Sequence, residues 1–182
     1  ISFPHAEAQA DGPILQLANI ESIKKGINLE KIISISKKVR EHNSDIGLCL
    51  MGYLNNLFIY GIEKFAKDIS GIIDAVICVD LPSDVVEEKQ LRDSLKKENI
   101  ALIKLITPTT SDERIKEIVK GAEGFIYSVN VEGQTGVKSA NLDRVNLQIE
   151  KIKKYTTIPV VSGFGIKNED DVKTFSKSKA DG

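Results

Sequence analysis

Short apolar runs alternate along this chain with longer, charge-rich stretches whose apolar residues recur every three or four places. That alternation does more than any other feature to limit the folds open to it. Apolar runs of about five residues suit parallel strands buried on both faces. The amphipathic stretches between them have the period of covering helices. The strand runs are residues 46–51, 75–79, 102–106, 124–129 and 158–162, and residues 1–3 read as the tail of an earlier strand. The helical stretches are 29–41, 62–68, 85–98, 112–120 and 142–155. Thr110 with Glu113 fits a capping box, and Asn168 with Asp171 marks a further helix start. The pattern predicts βα units and an α/β fold, not an all-α or all-β one.

Two architectures share this rhythm, the (β/α)8 barrel and the open doubly wound sheet. A complete barrel usually takes about 250 residues, and the chain has 182. It starts at Ile1 and stops at Ala180-Asp181-Gly182, a run that commonly leads into a strand. The expectation is one domain over residues 1–182, a fragment whose barrel is truncated at both ends.

Charge narrows the partners. With 25 basic against 26 acidic side chains the net charge is -1, without the clustered basic excess that a nucleic-acid grip needs. No apolar run approaches the roughly 18 residues of a membrane span. Cys49 and Cys78 each sit inside an apolar run and read as reduced core residues of a cytoplasmic protein, with no disulfide or metal framework.

Chemistry in such a fold lies in the loops after the strands. Gly163-Phe164-Gly165 follows a strand run and precedes a helix, where glycines let a backbone approach a phosphate and a helix N-terminus adds favourable charge. Taken alone, each loop also has an ordinary reading. Gly163-Phe164-Gly165 fits a strand-to-helix turn, Asp11-Gly12 is a favoured turn pair, Tyr53 and Tyr127 fit rim packing, and His5 reads as a solvated loop histidine. The lysine pairs 24–25, 37–38 and 96–97 read as solvated surface.

Together the loops are far more specific. Ala10-Asp11-Gly12-Pro13 with Gln16 and Ala18, then Met51-x-Tyr53-x-Asn55, Asp80-Leu81-Pro82, Thr107-Pro108-Thr109-Thr110, Gly133-x-Thr135-Gly136 and Gly163-Phe164-Gly165-Ile166 occur in this order. The series resembles the tryptophan synthase alpha subunit family over essentially the whole chain.

The resemblance implies a (β/α)8 barrel of which this chain holds about strands 2 to 7. It also implies a lyase that cleaves indole-3-glycerol phosphate to indole and glyceraldehyde 3-phosphate in tryptophan biosynthesis. No cofactor or metal is implied in the chain; pyridoxal phosphate belongs to the beta subunit with which an alpha2beta2 complex is expected. Asp11 matches the aspartate that hydrogen-bonds the indole N–H. Tyr53, Ile106 and Tyr127 match the indole pocket, and Thr135 matches the mobile-loop threonine. Gly136, Gly163, Phe164 and Gly165 match part of the phosphate site. The partner glutamate would stand immediately before Ile1, so this stretch by itself is expected to be inactive. The first loop departs from the family: Pro4-His5-Ala6-Glu7-Ala8 lacks the usual aromatic and second proline, and Gln134 stands where valine is usual. Two other readings fit part of the pattern, another phosphate-binding barrel enzyme of tryptophan or histidine synthesis, and a non-catalytic subunit that binds a phosphorylated ligand and regulates a partner.

Overall fold

The computed structural model describes residues 1–129, 142–163, 166 and 168–182. Its contacts gather into two compact units, Ile1–Ala8 with Leu15–Leu102, and Gln9–Ile14 with Ile103–Gly182.

In the first unit, β1 (Cys49–Gly52) and β2 (Ala75–Cys78) pair in parallel, with Cys49 opposite Ala75 and Gly52 opposite Cys78. Residues 1–3 join β1 through the parallel bridge of Ser2 with Met51, as their reading as a strand tail anticipates. The helices are α1 (Pro13–Lys24, whose first two residues belong to the second unit), α2 (Leu29–His42), α3 (Leu54–Tyr60), α4 (Ile62–Asp68) and α5 (Val86–Lys97). The core gathers Phe3, Leu50 and Val76 from the strand side with Ile32, Leu57, Phe65, Leu91 and Leu95 from the helices. Asn28 caps α2, its side chain accepting from the Lys31 amide at 3.0 Å.

Strand β1 begins three residues later than the apolar run. Arg40 is the reason: its guanidinium donates to the Ser44 and Ile46 carbonyls at 2.6 and 2.7 Å and to the Ile72 carbonyl at 3.0 Å. It also pairs with Asp74 at 2.6 Å, and the same carboxylate oxygen accepts the Leu48 amide at 2.7 Å. Carbonyls occupied by a side chain are lost to the ladder, so the run reaches Cys49 before it is strand.

In the second unit, β3 (Ala101–Ile106, its first two residues in the first unit), β4 (Ile126–Val129) and β5 (Val160–Gly163) are parallel neighbours in chain order. Here α6 (Asp112–Val119), α7 (Leu142–Lys153) and α8 (Glu169–Phe175) follow the strands. The core is made by Ile106, Ile115, Ile118, Ile126, Val145, Ile149, Ile152 and Val160. Neighbouring strands succeed one another in chain order within each unit, which is barrel order; a doubly wound sheet reverses order at a switch point.

One predicted cap moves. Ser111, not Thr110, caps α6, accepting from the Arg114 amide at 3.2 Å. Thr110 is used inside its own turn, where its hydroxyl oxygen accepts the Thr107 amide at 3.1 Å. The Asn168 start of α8 matches the sequence reading, with its side chain accepting from the Asp171 amide at 2.9 Å.

Candidate functional site

The segment that carries Asp11 folds into a bend leading to Pro13 at the first position of α1, where a missing N–H costs no helical hydrogen bond. By its contacts, Gln9–Ile14 belongs to the same compact unit as Ile106, Tyr127 and Gly163.

Tyr127 and Gly163 meet directly. They lie on one face of the β4–β5 pair, where Tyr127 is opposite Val161 and Val129 opposite Gly163. A Cβ built on Gly163 would stand 2.7 Å from Tyr127 Cζ and 3.1 Å from Cε1, with the phenol oxygen nearer still. The tyrosine hydroxyl therefore rests over the glycine, and only a residue without a side chain leaves it room. Ile106 sits differently. It is in register with Ser128 and fully buried among Ile115, Ile118 and Ile126, on the side packed by α6 and α7. Its neighbour Leu105, opposite Tyr127, shares the tyrosine's face. Thr135, Gly136, Phe164 and Gly165 lie outside the described residues.

The loop after β3 is folded tightly upon itself and held by α7. The Thr107 hydroxyl contacts those of Thr109 and Thr110 at 3.1 Å. Gln148 donates to the Thr107 carbonyl at 2.9 Å, and Lys151 to the Thr110 carbonyl at 2.6 Å. Lys151 also pairs with Asp112 at 3.1 Å, which accepts the Tyr155 hydroxyl at 2.7 Å. The Tyr155 hydroxyl and then the lysine hold the Asp112 carboxyl below its ordinary value.

Tyr53 is built into the first unit. It is buried and extended between β1 and α3, with its ring stacked on His5 at a centroid separation of 4.7 Å and an interplanar angle of 20°. Gly52 makes room beneath: a Cβ there would collide with three atoms of the buried Phe3 ring. His5 is thus half-buried against an aromatic face, which corrects its reading as a solvated loop residue. The stack removes one side of the imidazole from water. The same loop is fastened from both sides: the His5 amide donates to Asn19 at 3.1 Å, Gln16 to the Ala8 carbonyl at 3.3 Å, and Asn56 to the Pro4 carbonyl at 3.1 Å. Sequence reasoning passed over Asn19 and Asn56; short polar side chains one helical turn inside a loop are the signal available. Beside His5 lies a cavity of about 560 Å³ lined by Pro4, Ile27, Leu29, Asn56 and Ile59 among others.

The two cysteines are free thiols, as their place in apolar runs implies. Burial pushes Cys49 up to about 11. Cys78 is also raised, by burial and then by the Asp80 carboxylate 3.5 Å from its sulfur. Among the described residues, no group of three or more His, Cys, Asp or Glu side chains is disposed to hold a metal, and no helix is long and apolar enough to cross a membrane.

Comparison with known proteins places this geometry. The family model for the tryptophan synthase alpha chain matches residues 1–182. The tryptophan synthase alpha chain of Erythrobacter litoralis is 38% identical over 171 residues, covering 93% of this chain and 65% of that protein. The crystal structure of tryptophan synthase subunit alpha from Legionella pneumophila is 28% identical with a TM-score of 0.85, over 100% of this chain and 66% of that one. A structure of the tryptophan synthase complex from Pyrococcus furiosus matches at 26% identity and a TM-score of 0.83, over 100% of this chain and 71% of that one. The chain thus spans 65% of the length of that curated relative, and its fold is the α/β (β/α)8 barrel, incomplete in this stretch. On the strength of the match across all its residues, the chain belongs to the tryptophan synthase alpha chain family.

Proposed function

We propose that the complete protein cleaves indole-3-glycerol phosphate to indole and glyceraldehyde 3-phosphate. What carries the reading is family membership over every residue of the chain, including the loops in which the family keeps its chemistry. The reaction is a retro-aldol cleavage. Indole C3 gains a proton, the ring nitrogen carries positive charge meanwhile, and the side-chain hydroxyl loses its proton as the carbon–carbon bond breaks and the aldehyde forms.

Asp11 is the group assigned to the indole N–H, where a carboxylate stabilises the charge that develops on nitrogen. The proton steps at C3 and at the hydroxyl fall to the family's glutamate, whose place in the motif is the position before Ile1. Tyr53 and Tyr127 are assigned to the indole ring by their places in the motif; Ile106 has such a place too, but it is buried on the helix side of β3, away from the face of Tyr127. Leu105 enters as a candidate because it shares the face of Tyr127. Gly136, Gly163, Phe164 and Gly165 are assigned to the phosphate, and Thr135 to closure over Asp11. No cofactor or metal takes part in this scheme.

The partner is a tryptophan synthase beta subunit, which holds the pyridoxal phosphate, in an alpha2beta2 complex in the cytoplasm. The solved Pyrococcus furiosus complex supports such pairing. The experiment is an assay of indole release by the complete gene product. Release that depends on Asp11 supports the lyase, whereas phosphate binding without release supports a non-catalytic regulatory subunit.

A further inference from the structure

Tyr53 is gripped on both flanks by the end of β2. On one side the Gly52 carbonyl accepts the Val79 amide at 3.0 Å. On the other, the Leu54 amide donates to Asp80 Oδ1 at 2.8 Å. Tyr53 occupies the cap position of α3 with φ -111 and ψ 146 and supplies no side-chain acceptor of its own. The first amide of that helix is therefore served by a carboxylate from the turn that follows β2. The same oxygen receives the Cys78 thiol at 3.5 Å, from the residue in register with Gly52. The Tyr53 ring stacks on His5 and the residue's carbonyl accepts the Asn56 amide at 3.2 Å, while the two flanking ties join the backbone on either side of it to the end of β2.

We propose that Asp80 is a positioning residue for substrate: through the Leu54 amide it fixes Tyr53 against the indole ring without touching the ligand itself. The inference rests on the assignment of Tyr53 to the indole pocket, and it predicts a selective defect. Contacts to the ring should weaken when Asp80 lets go, while contacts to the phosphate, made by other loops, should not.

Binding of an indole-bearing probe is read by calorimetry. The probe is indole-3-propanol phosphate, a non-cleavable indole with a phosphorylated three-carbon chain, titrated into the complete gene product, with glycerol phosphate as the ring-less control measured by calorimetry. Asp80→Ala should weaken the indole probe about tenfold, the scale of one lost charge-assisted hydrogen bond, and leave glycerol phosphate unchanged. Asp80→Asn keeps an acceptor oxygen and should stay within about threefold of wild type. Leu54→Pro deletes the donor at a first-helical position preceded by extended backbone, where proline is tolerated. It should match Asp80→Ala, and the double variant should be no weaker than either single one.

Equal affinity for the indole probe in wild type and Asp80→Ala would overturn the proposal, as would a parallel loss of glycerol phosphate, the mark of general loosening. Absence of binding by the wild type would instead overturn the assignment of the pocket. Hydrogen exchange at the Leu54 amide then decides the clamp by itself. Protection in wild type and Asp80→Asn but not in Asp80→Ala is expected; equal exchange in all three would overturn it.

Discussion

Replacing Gly52 with alanine should destabilise the protein sharply although it adds a single methyl group. The Cβ would fall inside 3.0 Å of Cε2, Cζ and Cδ2 of Phe3, where ordinary contact starts at 3.4 Å. The ring must therefore withdraw by more than 0.4 Å, the difference between those two limits. It has no obvious way to do so. Phe3 is 1% exposed, and its backbone is tied to the residue beside Gly52 by the Phe3 amide to the Met51 carbonyl at 3.0 Å and the Met51 amide to the Ile1 carbonyl at 2.9 Å. Moving the ring disturbs the core, and moving the backbone breaks the bridge. Overpacking of this kind costs about 1–3 kcal/mol, and with both retreats closed the upper half of that range is expected. Urea denaturation of the two proteins measures it as a lower midpoint at unchanged slope. The cycle with Phe3→Leu sharpens the test: a smaller side chain should tolerate the methyl group, so the double variant should be more stable than the sum of the single losses implies. A Gly52→Ala protein within about 0.5 kcal/mol of wild type, the range of an ordinary surface change, would refute the reasoning.

Gly163→Ala should likewise lose about 1–3 kcal/mol, because its Cβ would press on Tyr127, and Tyr127→Leu in the same chain should recover most of it in urea denaturation. Arg40→Ala should cost about 2–4 kcal/mol in the same assay, since three carbonyls and Asp74 lose a largely buried guanidinium together. The folded protein keeps both thiols neutral, Cys49 up to about 11, so these groups contribute stability fully below the unfolded thiol value of about 8.5 and lose it as pH rises toward 11. Thiol titration with a disulfide reagent at pH 8 should be slow in native protein and immediate in urea; fast native reaction would contradict the burial.

Much of the fold can be read from the sequence because buried parallel strands have to be apolar nearly throughout. The runs at 75–79 and 102–106 map onto β2 and β3 with shifts of a single residue. The period of 62–68 gives α4 as it stands. What escaped reading has physical causes. Helix α1 buries none of its residues and has apolar side chains on several faces, so no period marks it. Helix α3 has seven residues and no side-chain cap of its own; its cap, Asp80, lies 26 residues further on. The start of β1 is set by Arg40, a side chain on another element. At the site, motifs singled out Asp11, Tyr53, Tyr127 and Gly163, but residue spacing could not reveal that the hydroxyl of Tyr127 lies over Gly163 or that His5 stacks on Tyr53. Nor could it place Ile106 and Tyr127 on opposite sides of their strands, which follows from register alone.

Indole release from indole-3-glycerol phosphate by the complete gene product, with and without Asp11→Asn, bears most directly on the central claim. The wild type should release indole at saturating substrate, and the variant should turn over about 10²- to 10³-fold more slowly, the scale of losing one group aimed at charge that develops in the transition state. A neutral amide cannot stabilise positive charge at the indole nitrogen as a carboxylate does. Affinity for indole-3-propanol phosphate should change much less, because the ring and phosphate contacts do not depend on that charge. Turnover by Asp11→Asn close to that of wild type, or no indole from the wild type at all, would contradict the account.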